Sequence, residues 1–245
     1  MNINFAVSVR RLLNVCSMEK FALIVAGGSG SRMKKDIPKQ FLGLAGEPVL
    51  MRTMERFAES DPSISLVVVL PALFVSFWKD LCRKYGFRLA HNLVEGGSSR
   101  FQSVRNGLAG LPEDGLVFIH DGVRPLVSLQ TIRNCAEMAI RKGNAIPVMP
   151  VTESLRRVTE TGSEHVERKD FFLVQTPQTF LISLIKKAYL QPERNDFTDD
   201  ASVCEAMGEK INIVEGNAEN IKLTRPADLQ MAESLFRLDS TSIPR

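Results

Sequence analysis

Apolar and polar residues alternate in blocks of two kinds over the first 150 residues. Short apolar runs predict buried strands, at residues 21–26, 64–71, 87–94, 115–120 and 144–149. Longer stretches between them predict helices, near residues 48–59, 72–85, 99–110 and 128–142. This alternation predicts an α/β fold, here a single Rossmann-like three-layer domain with a mainly parallel twisted sheet.

The alternation then stops and the chain becomes polar. Residues about 151–170 predict a β-hairpin arm with too few apolar residues for a core of its own, and by pattern alone a solvated surface hairpin is the simpler interpretation. After the arm, the pattern predicts a strand at Phe171–Val174, a helix with Thr198 as its N-cap and a final helix that begins at Pro226. We therefore expect one domain over residues 18–240 with a protruding arm.

Residues 1–17 are expected to lie outside this domain. They contain Arg10 and Arg11 but no acidic residue, and this basic pair follows the first apolar stretch, opposite to the order in a secretory signal. Met18, directly before the first predicted strand, is typical of a natural start. We interpret residues 1–17 as a disordered or non-native extension, while an organelle-targeting segment stays open on composition.

Composition narrows the class of protein. The chain has 245 residues, of which 44% are hydrophobic and 24% are charged, as in soluble globular proteins. A net charge of +3 is too small to indicate nucleic acid or a membrane as a partner, and no apolar run approaches the roughly 18 residues that span a bilayer. The four cysteines are far apart and form no C-x-x-C pair, which favours reduced cysteines in a cytoplasmic protein.

A glycine-rich segment follows the first predicted strand. It consists of Ala26, Gly27, Gly28, Ser29 and Gly30. Glycines let the backbone approach a ligand and point N–H groups at phosphate oxygens, and Arg32 and Lys39 add two cations that suit a triphosphate. The segment lacks the Lys of a Walker loop, and Met33 stands where a dinucleotide fingerprint has its third Gly. An ordinary glycine-rich turn remains the alternative.

Two further segments begin where predicted strands end. Gly96 follows the third predicted strand, and Asp121 follows the fourth. Ligands of open parallel sheets bind outside the carboxyl ends of the strands, so we expect these segments to join the glycine-rich segment in one site. His120 stands inside a buried strand, where a hydrogen-bonded core histidine is expected rather than a catalytic base.

Residues 26–33 together with Pro38–Phe41 resemble the signature of sugar-phosphate nucleotidylyltransferases. Five later segments make the resemblance more specific: Gly96–Arg100, His120–Pro125, Gln175–Gln178, Thr198–Ser202 and Asn220–Pro226. In this order they resemble the 2-C-methyl-D-erythritol 4-phosphate cytidylyltransferase family of the non-mevalonate isoprenoid pathway, over about residues 18–237. The resemblance implies transfer of CMP from CTP to a polyol phosphate, Mg²⁺ as cofactor and a homodimer that exchanges its arms.

The resemblance assigns CTP to several segments. The loop around its phosphates matches Ala26, Gly27, Gly28, Ser29 and Gly30, and the segment that recognises cytosine and ribose matches Gly96, Gly97, Ser98 and Ser103. The family often has an acidic residue where Ser98 stands. Catalytic roles fall on four cations, Arg32, Lys39, Arg168 and Lys222, of which Lys222 also contacts CTP.

The resemblance assigns the acceptor to the second half of the chain. The matching positions are Asp121, Arg124, Ser154, Arg168, Thr176 and Thr198. Arg168 is expected to reach the acceptor phosphate from the arm of the neighbouring subunit, since the planar guanidinium suits a phosphate. Asp121 is also the one candidate metal ligand.

Three other functions stay open, and the first of them is weighed by the same resemblance. Ribitol 5-phosphate cytidylyltransferases share the fold and the nucleotide; the arm sequence Val166–Arg168 favours methylerythritol phosphate, whereas Gly122–Val123 does not separate the two acceptors. A non-catalytic nucleotide-binding protein is disfavoured because the cations are retained. A nicotinamide oxidoreductase is disfavoured by the incomplete dinucleotide fingerprint.

Overall fold

The computed structural model describes residues 18–27 and 37–241, with side chains described up to residue 238. The strands in these residues are β1 (Lys20–Val25), β2 (Gly43–Leu44), β3 (Glu47–Pro48), β4 (Ser65–Leu70), β5 (His91–Glu95), β6 (Leu116–Asp121), β7 (Asn144–Pro150), β8 (Leu155–Thr159), β9 (Gly162–Val166), β10 (Phe172–Val174), β11 (Gln178–Leu181) and β12 (Ile213–Glu215). The helices are α1 (Val49–Ser60), α2 (Ala72–Tyr85), α3 (Arg100–Ala109), α4 (Leu129–Lys142), α5 (Ile182–Ala188), α6 (Asp200–Glu205) and α7 (Pro226–Thr241). Short 3₁₀ turns lie at Lys39–Phe41 and Arg168–Asp170.

One large, mainly parallel sheet organises the chain, as the alternation of strands and helices predicts. Its strands follow the order β10-β7-β11-β6-β1-β4-β5, and β12 also pairs with β7. The central strand β1 runs parallel to both β4 and β6, while β11 runs antiparallel between β6 and β7. Val25 pairs with Asp121, so β1 and β6 end side by side and deliver their following loops to the same edge.

Both faces of the sheet are covered, which gives three layers. On one face α1, α2 and α4 pack on the sheet around the fully buried Phe57 and Trp78. On the other face α3 and α5 pack around Leu108 and Phe180. The core therefore lies on both sides of the central strands, which fixes the strand ends from which the site is built.

Two predicted boundaries are wrong. The strand predicted at 87–94 begins only at His91, which pairs with Leu66. β4 extends just one residue further, to Ser65, so it offers no partners for residues 87–89. The predicted N-cap Thr198 is not the cap of α6: Asp199 is, since its carboxylate accepts the Ser202 N–H at 2.9 Å. The strand near Phe171–Val174 and the helix that begins at Pro226 are confirmed.

The predicted arm is present as the antiparallel hairpin β8–β9, with Leu155 opposite Val166. Within the described residues these two strands pair only with each other. Nearly every side chain of the hairpin is exposed, and Val158 is 84% exposed. The arm therefore has no core of its own within this chain.

Cys82, Cys135 and Cys204 are free thiols, and Cys16 lies outside the described residues. Burial raises the pKa of Cys135 to about 12, so this thiol stays protonated near neutral pH. Among the helices of the described ranges, none has the length and apolar character to cross a bilayer.

Candidate active site

A cleft of about 280 Å³ opens at the carboxyl ends of β1 and β6. It is lined by eight of the predicted site residues, Ala26, Gly27, Lys39, Gly97, Ser98, Ser103, Asp121 and Lys222. Five further residues line it that the sequence analysis did not assign to the site, Val25, Gln40, Ser99, Arg100 and Val123. The motifs expected to meet at this edge of the sheet do meet there, and we call this cleft the strand-end pocket.

The glycine-rich segment enters the strand-end pocket directly from β1. The Ala26 N–H donates to the carbonyl of Val69 at 2.9 Å, so the backbone is still tied to β4 where the segment begins. Gly28, Ser29, Gly30 and Arg32 lie outside the described residues, and their predicted roles stay predictions.

Lys39 lies on a 3₁₀ turn that is anchored from both sides. The fully buried Gln40 donates from Nε2 to the Ala26 carbonyl at 2.7 Å, which ties this turn to the glycine-rich segment. Phe41 packs edge-on against Phe74 and Phe77. Gln40 was not predicted, although a polar residue between Lys39 and an aromatic residue is a signal that sequence reasoning could have used.

The segment before α3 is shaped by small residues and a serine. Ser103 Oγ accepts the Gly97 N–H at 3.1 Å and donates to the Ser99 carbonyl at 2.8 Å. A Cβ atom at Gly97 would lie 2.3 Å from Cβ of Gln102, so glycine is required by this close approach. The Ser98 hydroxyl donates to Gln102 Oε1 at 3.0 Å, so Ser98 itself brings a neutral polar group to the pocket.

Asp121 is a buried carboxylate between two cations. Its Oδ2 lies 3.0 Å from Nε of Arg124 and 3.1 Å from Nζ of Lys222. Burial alone would raise the pKa of this carboxyl, but Lys222, Arg100 and Arg124 outweigh burial and hold the pKa well below its usual range. Asp121 is therefore ionised at any pH near neutral, and Lys222 is held at the pocket by an ion pair.

His120 and Thr176 form a buried chain of hydrogen bonds to the backbone around Asp121. The Arg124 carbonyl can only accept, so His120 Nε2 carries the proton and donates to it at 3.1 Å. The Thr176 hydroxyl then donates to Nδ1 at 2.9 Å and accepts the Asp121 N–H at 3.2 Å. Burial lowers the pKa of His120 to about 4. His120 is thus a neutral, hydrogen-bonded core histidine, as expected.

Three predicted acceptor residues are not brought to the strand-end pocket by their own chain. Ser154 and Arg168 lie on the exposed arm, and the Arg168 guanidinium donates to the carbonyl of Thr152. Thr198 is exposed before α6, and its N–H donates to Ser202 Oγ at 3.1 Å. None of the three lines the described part of the pocket. Gly96, Arg124 and Thr176 do not line it either, but Arg124 and Thr176 are hydrogen-bonded to Asp121, which does.

The sequence analysis assigned no role to Arg100, although this residue links the pocket to a distant segment of the chain. It begins α3, lines the strand-end pocket and forms two parallel hydrogen bonds with the fully buried Asp200. An arginine directly after Gly96–Ser99 was visible in the sequence. Its partner was not, because Asp200 lies 100 positions away.

The chain is similar in sequence to one family and to many of its members. The family model described as 2-C-methyl-D-erythritol 4-phosphate cytidylyltransferase matches residues 21–238. A relative of that name from Phocaeicola vulgatus is 53% identical over 219 residues, which cover 89% of this chain and 100% of the relative. A second, from Bacteroides thetaiotaomicron, is 50% identical with the same coverage of both chains.

Solved structures resemble the chain in fold as well. A 4-diphosphocytidyl-2C-methyl-D-erythritol synthase from Anaerococcus prevotii matches with a TM-score of 0.77 and 26% identity, over 91% of this chain and 98% of that one. A 2-C-methyl-D-erythritol 4-phosphate cytidylyltransferase from Thermus thermophilus matches with a TM-score of 0.71 and 31% identity, over 90% of this chain and 100% of that one. The likeness therefore extends over most of the fold.

Proposed function

Since the chain belongs to the 2-C-methyl-D-erythritol 4-phosphate cytidylyltransferase family, we propose that its strand-end pocket is where CTP and the acceptor react. The enzyme transfers CMP from CTP to 2-C-methyl-D-erythritol 4-phosphate, a step of isoprenoid biosynthesis. The products are 4-diphosphocytidyl-2-C-methyl-D-erythritol and pyrophosphate. The acceptor phosphate is itself the nucleophile, so the protein has to position two anions and neutralise their charge.

One observation carries this placement. Lys39, Lys222 and Asp121 line the same cleft as the start of the glycine-rich segment and Gly97. Lys39 and Lys222 supply positive charge where a triphosphate would meet a second phosphate, and backbone N–H groups of the glycine-rich segment suit phosphate oxygens. A carboxylate such as Asp121 can accept hydrogen bonds from the hydroxyls of a polyol.

The family resemblance and the pocket together support a division of roles. We assign the CTP phosphates to the glycine-rich segment, with Arg32 and Lys39 stabilising the transition state. Lys222 aligns the reacting phosphates, and its contact with Asp121 supports this position at the pocket. Arg124 holds Asp121 and also donates to the Asn220 carbonyl at 2.8 Å, so its role is to organise the acceptor side.

We propose a homodimer in which each arm completes the pocket of the other subunit. The arm has no core within its own chain, and Arg168 and Ser154 lie on it outside the pocket lining. Beside the arm, the run Phe171–Val174 exposes four large apolar side chains, each at least 44% exposed. Exposed large apolar side chains gathered in one short segment are typical of a protein interface, and a second copy of the chain would cover them.

We also propose Mg²⁺ as the cofactor. Asp121 is the carboxylate among the pocket-lining residues, and oxygen donors suit this ion. Within the described residues, no group of three or more His, Cys, Asp or Glu side chains could hold a metal ion by itself. The ion would thus be held mainly by phosphate oxygens and water near Asp121, and when bound it would neutralise charge on the triphosphate. A cytoplasmic location is proposed from the three free thiols.

The test is pyrophosphate release from CTP and Mg²⁺, with 2-C-methyl-D-erythritol 4-phosphate and ribitol 5-phosphate supplied separately. We expect turnover only with the first acceptor. Turnover only with ribitol 5-phosphate would keep the fold and the chemistry but overturn the role of the arm sequence Val166–Arg168. Folded protein that binds CTP and is silent with both acceptors would instead be a nucleotide-binding protein without turnover.

A further inference from the structure

Asp200 is a carboxylate with no exposed surface and with both oxygens occupied. Nη1 and Nη2 of Arg100 donate to Oδ1 and Oδ2 at 2.9 and 2.6 Å, which is a bidentate pair. The Tyr189 hydroxyl donates to Oδ1 at 2.6 Å. Bidentate charge-assisted bonds fix both the distance and the plane of the two groups.

The ion pair joins two segments that are assigned to different substrates. Arg100 follows Gly96–Ser99, the segment of the nucleotide, and about a third of its side chain is exposed at the strand-end pocket. Asp200 lies two positions after Thr198, which the family resemblance assigns to the acceptor and which does not itself line the strand-end pocket. We call Gly96–Ser99 the nucleotide segment and Thr198–Asp200 the acceptor segment. We propose that the Arg100–Asp200 pair is a positioning element that fixes the distance and orientation between these two segments. This role rests on the proposed function.

Stability alone is a poor reason for such a pair. Desolvation of two charges offsets most of their attraction, and a well-packed apolar pair would stabilise the fold as well or better. The sheet already holds the start of α6, because Gln178 donates to Asp199 at 2.7 Å and accepts the Ala201 N–H at 2.8 Å. The ion pair adds what these contacts lack, a fixed link from α6 to the wall of the pocket.

The nucleotide segment keeps its own shape without Asp200. Ser99 caps α3 by accepting the Gln102 N–H at 3.0 Å, and Ser103 accepts the Gly97 N–H at 3.1 Å. Loss of the pair should therefore disturb the alignment of the two substrates more than the binding of CTP alone. This difference separates a positioning role from a structural one.

The experiment uses Arg100→Lys, which keeps the charge but loses the bidentate fork, and Asp200→Asn, which keeps the shape but loses the charge. Arg105→Lys is the matched control, since Arg105 lies on the same helix, is exposed and does not line the pocket. Three quantities are measured on the full chain. These are kcat/KM for 2-C-methyl-D-erythritol 4-phosphate, the Kd of CTP by calorimetry without acceptor, and the melting temperature.

We expect kcat/KM to fall about 10- to 100-fold in Arg100→Lys and in Asp200→Asn, as a displacement of reacting groups by about 1 Å does. The Kd of CTP should change less than about threefold, which is under 1 kcal/mol. The kcat/KM of the double variant should equal that of the less active single variant, because the two residues act as one unit. Arg105→Lys should match the wild type.

Two results would overturn this role. One is unchanged kcat/KM in Arg100→Lys. The other is a parallel loss of turnover, CTP binding and melting temperature, which a purely structural pair would produce. If Asp200→Asn does not fold, Arg100→Lys still decides between these outcomes. A wild-type chain that shows no turnover would overturn the proposed function itself, whereas active wild type with unaffected variants would overturn only the positioning role.

Discussion

The Thr176 hydroxyl lies 2.9 Å from Nδ1 of His120, and both side chains are buried. The same hydroxyl accepts the Asp121 N–H, so one threonine joins the imidazole to the backbone of the pocket carboxylate. His120 in turn donates to the Arg124 carbonyl. The backbone on both sides of Asp121 is therefore held by a buried chain of hydrogen bonds, and the position of the carboxylate depends on a residue 55 places further along.

Thr176→Val tests this chain of hydrogen bonds. The substitution keeps the size of the side chain but leaves His120 Nδ1 and the Asp121 N–H without their partner. We expect the free energy of unfolding to fall by about 1–3 kcal/mol, the cost of an unsatisfied buried polar group. Denaturant unfolding measures this free energy. Thr176→Ser, which keeps the hydroxyl, is the control. Equal stability of the Val and Ser variants would contradict the role of the hydroxyl.

The neutral state of His120 predicts a pH dependence of stability. Burial lowers its pKa to about 4, below the ordinary value of 6.5, so between these values the unfolded chain binds more protons than the folded chain. Stability from this residue is therefore complete above pH 6.5 and is lost as the pH falls towards 4. The loss amounts to about 3.5 kcal/mol, at about 1.4 kcal/mol per pH unit over the interval from 6.5 to about 4.

Unfolding of wild type and His120→Asn between pH 4.5 and 7 measures this contribution. The wild-type free energy of unfolding should rise with pH over this range, and the variant should show a smaller slope. The difference between the two slopes isolates His120 from the other titrating groups. Identical slopes would show that the pKa of His120 is the same in the folded and the unfolded chain, which would contradict the buried neutral imidazole.

Lys222 is predicted to act on the reaction rather than on the fold. Its side chain is 42% exposed, and although its partner Asp121 is buried, Arg124 still pairs with this carboxylate when Lys222 is removed. Lys222→Ala should lower kcat/KM about 100- to 1000-fold, as the loss of one group that stabilises developing charge does. The melting temperature should fall only modestly, because Arg124 continues to compensate the buried Asp121. Lys79→Ala removes an exposed lysine of α2 outside the pocket lining, and it should be fully active.

Exchange of arms predicts that two inactive chains can restore each other. Lys39→Ala removes a cation from the pocket of its own chain, whereas Arg168→Ala removes the arginine that the arm supplies to the partner's pocket. In a mixed dimer one site then receives an intact pocket and an intact arm. Random mixing should therefore restore about a quarter of wild-type activity, since half of the dimers are mixed and each has one good site.

The control mixes two variants that both change the pocket and leave the arm intact, Lys39→Ala and Lys222→Ala. Both residues line the pocket of their own chain, so a mixed dimer has no intact site and should stay inactive. Mass analysis of differently tagged chains confirms that mixed dimers form. Mixed dimers of the first pair without activity would show that Arg168 serves its own chain or no site.

Local pattern predicted most of the elements, because it depends on neighbours in sequence. The apolar runs at 21–26 and 115–120 match β1 and β6 within one residue, since a buried strand needs a continuous run of apolar side chains. The edge strand β5 was placed too early. Its start depends on which residues of β4 are available for pairing, and this information is absent from the local sequence.

The site was partly predictable for a similar physical reason. In a parallel sheet the carboxyl ends of the strands lie at one edge, so Ala26, Gly97 and Asp121 could be placed together from the alternation of strands and helices alone. The residues alone also placed Lys39 beside the glycine-rich segment, and the family resemblance added Lys222; both lysines line the pocket. Their chemical roles are not readable from pattern, because charge at a surface has no periodicity.

The sequence by itself determined the layered α/β fold, the edge of the sheet where the motifs meet and the polar arm, since each depends on local periodicity and on the order of elements. Only the tertiary structure decided the partners of the buried polar groups. Arg100 meets Asp200 and His120 meets Thr176 across 100 and 56 positions, and in each pair at least one member is fully buried and needs its partner. The physical reason is that a buried polar group requires a partner in space, and the local pattern of a sequence does not specify which distant residue supplies it.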